Sequence, residues 1–310
     1  MKVFVTGATG LIGGSVVRAL VAAGHEVTGL TTRASNVPAI ERTGAKAVVG
    51  DMRDAAAYRE VASNAEAIVH AAQSIPDKTR YSAADVDAYM GADADAVDAL
   101  VSVASPACRA FVFSSGAYVY GDTGTQPVDE RHTTEHHHVV MKRKLATEAK
   151  LLELARSGKV PAIIVRPGMV YGSGSLWAKL YLDAMKRGRR AMQPGNGRNV
   201  VSFVHVDDVG EAYRTLIEHP APGEIYNIAD DEPTPVRDIV RAQAAAFGAP
   251  TPIAIPGWIV RLAAGPISGP PTLANNALSN RKLRALGWAP KYPSYREGVV
   301  AVARSVPSAG

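Results

Sequence analysis

Residues Val5 to Gly14 read VTGATGLIGG, directly after the apolar run KVFV and directly before a stretch in which Val16, Val17, Leu20 and Val21 recur at helical spacing. Gly7, Gly10 and Gly13 stand three residues apart. Such a strand, glycine turn and helix give a tight turn, a close backbone approach to a pyrophosphate, and close packing of helix on strand, with the helix N-terminus facing the phosphates. The stretch therefore predicts a dinucleotide cradle, with Thr9, Leu11 and Ile12 supplying the rest of the turn. Gly24 is the expected helix stop.

The same rhythm continues. EVTGL, AKAVVG, AEAIVHAA, RAFVFSS and PAIIVRP are short apolar runs separated by helical patterns, which predicts a parallel sheet with helical crossovers. The last crossover helix is expected from about residue 139 to 157, closed by Gly158. After Pro167 the chain turns to longer loops such as GSGS, QPGNG and IPGW, while GEIYNIA is apolar enough to return to the main sheet. The expected organisation is a Rossmann-type α/β domain over residues 1–167, with a returning strand near 224–229, and a smaller substrate-binding region over 168–310.

At 310 residues, 47% hydrophobic and 20% charged, the chain has enough apolar surface for a sizeable core. One cysteine, Cys108, cannot close an internal disulfide; it reads as a small buried hydrophobe, and a cytoplasmic location is expected. The first residues enter a strand without the pattern of a signal peptide, and no apolar run approaches the roughly 20 residues of a membrane span. The net charge of +5 comes from scattered basic residues, grouped only at Lys142 to Lys144 and Lys186 to Arg190. That distribution reads as a solvated surface and implies neither nucleic acid nor membrane as a partner.

The second strand runs into Thr31, Thr32 and Arg33, where an acid would hold the adenosine ribose. No acid is there. Thr32 and Arg33 suit a 2'-phosphate, so NADP(H) is expected ahead of NAD(H), against the plainer reading of Arg33 as a loop charge. Asp51, followed by Met52, stands where the adenine edge would lie, or else makes an ordinary turn in GDMRD.

With VTGATGLIGG, VHAA, FSSGAYVYG, KLATEAKLL, VRPGMVYG, FVHVDDVGEAY and GEIYNIADDEP in order, the chain resembles the extended short-chain dehydrogenase/reductase family, which includes the NAD-dependent epimerases and dehydratases. The resemblance spans nearly the whole chain. It implies a Rossmann domain with a small C-terminal substrate domain, often a homodimer, and a cofactor shell that includes Ala71, Ala72, Lys144 and Pro167. It also implies a Ser or Thr after the fifth strand and a Tyr four residues before a Lys. Here those positions are Gly116 and Val140, with the lysine at Lys144. Glu130 keeps the family spacing to position 140, which argues against a slipped alignment.

One helical turn separates Val140, Lys144 and Glu148, so Lys144 is expected to point where the family lysine points, or else to form an exposed pair with Glu148. Tyr118 is the candidate replacement acid if Lys144 or the cofactor lowers its pKa; otherwise its ring packs against substrate or loop. Ser114 and Ser115 remain as hydroxyl donors. His136 to His138 lack the spacing of a metal site, and one of them as a general base is the alternative. Tyr120 and the His205 to Asp208 stretch read as structural. Arg187, Arg189, Arg190 and Arg198 suit either an anionic substrate or an ordinary basic loop. The leading expectation is an NADP-dependent oxidoreductase of the epimerase/dehydratase type acting on a carbonyl, alcohol or sugar-like small molecule through an altered proton relay. A non-redox isomerase or lyase and a silent NADP(H) sensor are the alternatives, and the fold alone does not choose among them.

Overall fold

A computed structural model of the chain describes residues 1–73, 80–135, 141–175 and 177–305. Strands β1 (Lys2–Thr6), β2 (Glu26–Thr31), β3 (Lys46–Val49), β4 (Ala67–His70), β5 (Ala110–Ser114) and β6 (Ala162–Pro167) are all parallel and lie in the order β6-β5-β4-β1-β2-β3. Strand Ile225–Ile228 joins β6 in parallel and completes a sheet of seven. The order reverses between β1 and β4. A crevice opens at such a reversal, at the carboxyl ends of the strands, and this is where ligands of doubly wound sheets bind.

The central strands are covered on both faces and are accordingly mainly apolar. Val3 and Val5 of β1 face a core with Val16, Leu20, Ile163, Val209 and Leu216. The intervening Phe4 faces the other core, with Leu100, Phe111, Phe113, Leu151 and Ile164. Helix α1 (Leu11–Ala22) ends at Gly24, whose φ of 80° lets the His25 amide reach back to the Leu20 carbonyl at 3.0 Å. Cys108 is buried and donates weakly to the Ala110 carbonyl.

The C-terminal portion has its own core, built on Tyr171, Trp177, Leu182, Phe203, Val236, Ile239 and Val299. Its helix Val206–Glu218 packs on α1, and Ser15 Oγ donates to the Val206 carbonyl at 2.5 Å. His205 caps that helix by accepting the Asp207 amide at 3.3 Å, while Asp208 reaches across to the amides of Lys291 at 2.7 Å and Tyr292 at 3.1 Å. Among the described residues no helix is long and apolar enough to cross a membrane.

Two carboxyls are enclosed at this junction. Burial pushes Asp208 up to about 6 and Asp230 up to about 9, and Asp230 Oδ2 has no hydrogen-bond partner. Each group keeps its proton in the folded chain over a range where the unfolded chain has lost it, so stability falls as pH rises from about 4 toward the folded value. Asp230→Asn removes the larger contribution. Its urea midpoint should match wild type near pH 4 and exceed it by a growing margin toward pH 9; a margin independent of pH would show that Asp230 is not the responsible group.

Candidate active site

The turn between β1 and α1 is shaped by contacts that exclude side chains. A Cβ on Gly13 would meet the Gly7 carbonyl oxygen at 2.1 Å, and one on Gly7, whose φ is 70°, would meet Ala71 and Ala72 at 2.8 Å. Gly10 closes the turn by donating to the Gly7 carbonyl at 2.8 Å and begins α1 without a side-chain cap. The uncapped first turn leaves amides and the positive helix end facing the crevice. Thr9 is exposed there, with Leu11 and Ile12 half-buried beside it. These residues fit a dinucleotide pyrophosphate.

Beyond β2, Thr31 is buried and its hydroxyl accepts the Arg33 amide and Asn36 Nδ2, both at 3.3 Å. Thr32 and Arg33 are exposed, and Arg33 pairs with no carboxylate among the described residues. Asp51 does what a turn aspartate does: Arg53 holds both its oxygens, at 2.9 and 2.7 Å, and the Arg53 side-chain and backbone hydrogen bonds bring its pKa down to about 2. Met52 is buried and its carbonyl accepts the Tyr58 hydroxyl at 2.8 Å. Ala71 and Ala72 follow β4, and Pro167 ends β6.

Lys144 lies on helix Lys142–Arg156 and is 3% exposed, which overturns both the exposed pair with Glu148 and a wholly solvated Lys142 to Lys144 group. Its Nζ donates to Asp93 Oδ2 at 3.0 Å and sits 4.4 Å from the centre of the Phe113 ring. Asp93 comes from helix Ala83–Val103, and its other oxygen lies 3.4 Å from His70 Nε2; His70 Nδ1 is 2.8 Å from Thr6 Oγ1. A buried line of polar groups thus joins the start of the cradle to the lysine. Burial pulls the Lys144 ammonium down, with Asp93 opposing it; burial also works against the Asp93 carboxylate, but His70 and Lys144 outweigh it and hold the carboxyl below its ordinary range.

Glu148 pairs instead with Arg166 of β6, whose Nε donates to Oε1 at 3.2 Å, and the guanidinium lies 4.7 Å from the centre of the Tyr120 ring. Ser115 donates its proton to the same Glu148 carboxylate, and Ser114 pairs with the Tyr213 hydroxyl at 2.6 Å. Both hydroxyls sit near the crevice but are held by protein partners. Tyr120 is buried and donates to Asn227 at 2.8 Å, while Glu130 accepts the Asn227 amide at 2.9 Å.

Tyr118 stands 37% exposed at the mouth of an apolar pocket. In the chain by itself burial holds its phenol up to about 12, and Lys144 is committed to Asp93. Gly116 is extended, with φ 176°, and a Cβ there would meet nothing within 4 Å. Val140 and His136 to His138 lie outside the described residues. Among the described residues no group of three His, Cys, Asp or Glu is placed to hold a metal ion.

Asp93, His70 and Arg166 were not anticipated from the sequence, although a signal existed. Val86, Met90, Asp93, Val97 and Leu100 form one buried stripe, so Asp93 occupies an apolar helical position, and His70 and Arg166 end otherwise apolar strand runs.

A doubly wound sheet with a glycine cradle at its reversal defines a dinucleotide-binding enzyme fold. The family model for the NAD dependent epimerase/dehydratase family matches residues 3–229, and the chain belongs to that family. A 3-diazoavenalumate denitrifying reductase from Streptomyces sp is 30% identical over 310 residues, covering 96% of this chain and 99% of the relative. A 2-alkyl-3-oxoalkanoate reductase from Stenotrophomonas maltophilia is 27% identical over 266 residues, covering 81% and 77%. Among solved structures, a human epimerase family protein with NADPH superposes with a TM-score of 0.82 at 19% identity, over 99% of this chain and all of that one. A UDP-glucose 4-epimerase from Bifidobacterium longum with NAD+ and UDP gives 0.80 at 20% identity, over 98% and 97%. The chain is accordingly an NAD(P)-dependent enzyme of the oxidoreductase and epimerase type.

Removing one partner of the buried pair leaves the other charge stranded, which costs about 3–5 kcal/mol. Asp93→Ala should lose about that much stability in urea unfolding, and adding Lys144→Met should restore most of it. Losses that simply add would mean the two side chains do not interact.

Proposed function

We propose that the protein is an NADPH-dependent reductase that delivers hydride to an electrophilic small molecule, with Tyr118 as the proton donor when the acceptor is a carbonyl. The observation that carries this reading is the position of Tyr118, at the pocket mouth just past the carboxyl end of β5 with burial holding its phenol up to about 12, beside a position 116 that has no hydroxyl. A phenol at that value keeps its proton at neutral pH. It can donate to a developing alkoxide but is a poor base for removing a proton from an alcohol, which favours reduction over oxidation.

The cradle of Gly7, Gly10 and Gly13 would hold the pyrophosphate, and Arg33 with Thr32 the 2'-phosphate. Bound NADPH would supply the hydride. Lys144, at the family position, would face the nicotinamide ribose, while Asp93 fixes its orientation and compensates its charge. The substrate oxygen would take the proton from Tyr118 Oη.

Room for a side chain at Gly116 bears on the choice of substrate. Neither packing nor backbone conformation requires glycine there, so the missing hydroxyl has no structural cause. That favours a second reading drawn from the diazo-acting reductase relative: an acceptor that takes hydride at nitrogen develops no alkoxide and needs no hydroxyl to bind one.

For cofactor choice, NADPH should bind more tightly than NADH to wild type, and Arg33→Ala should remove most of that preference; equal affinities for both cofactors in wild type would refute the assignment. For the relay, Tyr118→Phe should slow carbonyl reduction by about 100- to 10,000-fold while leaving NADPH affinity unchanged. Full activity of that variant would exclude Tyr118 as donor and support the acceptor that needs no proton at oxygen.

A further inference from the structure

Past the carboxyl ends of β5 and β6 lies a pocket of about 110 Å³ lined by four aromatic rings among aliphatic and proline side chains and Thr272. Tyr118, just past β5, and Met169, just past β6, form the side next to the sheet. Phe203, paired with Met169 on the neighbouring strand, lines it with Trp177 and Tyr181: the Trp177 and Tyr181 rings lie 4.2 Å apart at 36°, and Phe203 meets Trp177 edge-on at 4.9 Å. Trp177 and Tyr181 stand four residues apart, about one helical turn, at a segment where Ala178–Leu182 winds as a π-helical turn. The Trp177 indole N–H is already satisfied by Gln243 Oε1 at 2.7 Å, so the indole offers the pocket ring surface without an unmet donor.

No charged side chain lines this pocket among the described residues. The phenols of Tyr118 and Tyr181 are both pushed above their ordinary value by burial and stay neutral. Arg187, Arg189, Arg190 and Arg198 are all exposed, and none of them lines the pocket. A larger cleft of about 870 Å³ beside the Ile225–Ile228 edge is lined by charged groups of both signs, with Asp129 on Arg131 and Glu224 on Lys282, and has no aromatic ring in its lining.

The geometry points to a substrate whose reactive group is attached to a flat, uncharged aromatic or conjugated ring, the ring entering between Tyr118 and the Trp177, Tyr181 and Phe203 side chains. This rests on the reductase reading and narrows it. A dry apolar cavity of about 150 Å³ takes one benzene ring. The 110 Å³ here is smaller, which limits the group that enters to at most one ring, and the aromatic and aliphatic walls favour ring stacking over a hydroxylated sugar, which would leave hydroxyls unsatisfied against them. Because Tyr118 belongs both to the pocket and to the carboxyl end of β5, a ring seated here places its substituent at the crevice where the cofactor's reactive end would lie.

Calorimetric titration of the full chain, saturated with NADP+, with cinnamamide and separately with UDP-glucose tests this directly. Cinnamamide should bind and UDP-glucose should bind at least tenfold more weakly. Tyr181→Leu keeps the apolar volume but loses the stack, and should weaken cinnamamide about 2- to 12-fold with NADPH affinity unchanged. UDP-glucose binding the more tightly, or cinnamamide binding equally well to wild type and Tyr181→Leu, would overturn the substrate class while the reductase reading stands. The reductase reading fails separately, if the protein binds cinnamamide but transfers no deuteride from 4-deuterated NADPH to any carbonyl or diazo acceptor.

Discussion

The structure depends on how closely α1 approaches what lies on either side of it. Beneath, Gly13 touches the Gly7 carbonyl so nearly that no side chain fits between helix and strand. Above, a Cβ on Gly210 would meet Ser15 Oγ at 2.5 Å, so helix Val206–Glu218 of the C-terminal portion rests on the same helix. One element thus presents its N-terminal amides to the crevice and fixes the position of the region that carries the substrate pocket. A methyl group at either contact would have to move backbone, and well-packed interiors accommodate such shifts poorly.

The other expensive feature of the site is its pair of enclosed ion pairs. Lys144 with Asp93 and Arg166 with Glu148 are taken out of water beside β5 and β6, where desolvation offsets much of the attraction between the charges. Apolar residues of similar size would serve stability as well. What the charges add is position: Asp93 holds the lysine between two helices, and Glu148 collects Arg166 and the Ser115 hydroxyl in one place. The cost is a site whose polar groups are already committed to one another, which leaves Tyr118 as the part-exposed titratable group at the pocket mouth.

That division gives the crevice two characters. Toward the cradle it offers amides, threonine hydroxyls and the exposed Arg33, suited to phosphate. Toward the C-terminal core it offers ring faces and neutral phenols. The two ends recognise different chemistry because one is built from the exposed start of a helix and the other from side chains that also belong to a hydrophobic core.

The strands and the cradle were legible in the sequence because their causes are local. A strand covered on both faces is apolar at nearly every position, and a helix that starts against its own strand must have glycine there; both requirements are written in consecutive residues. The same is true of the turn at Asp51, closed by Arg53 two residues away. The partners of Lys144 and Glu148 were only half legible: Asp93 betrays itself as a charge in an apolar stripe, but nothing local says which lysine it meets 51 residues later. The aromatic pocket was not legible at all. Tyr118, Trp177, Tyr181 and Phe203 are scattered over 86 residues; Tyr118 stood out in its motif, but nothing in the sequence joined the other three to it. Only the parallel winding of the sheet, which brings the ends of β5 and β6 together and sets the C-terminal portion across them, turns those rings into one surface, because contact between distant residues is decided by the path of the backbone rather than by the residues themselves.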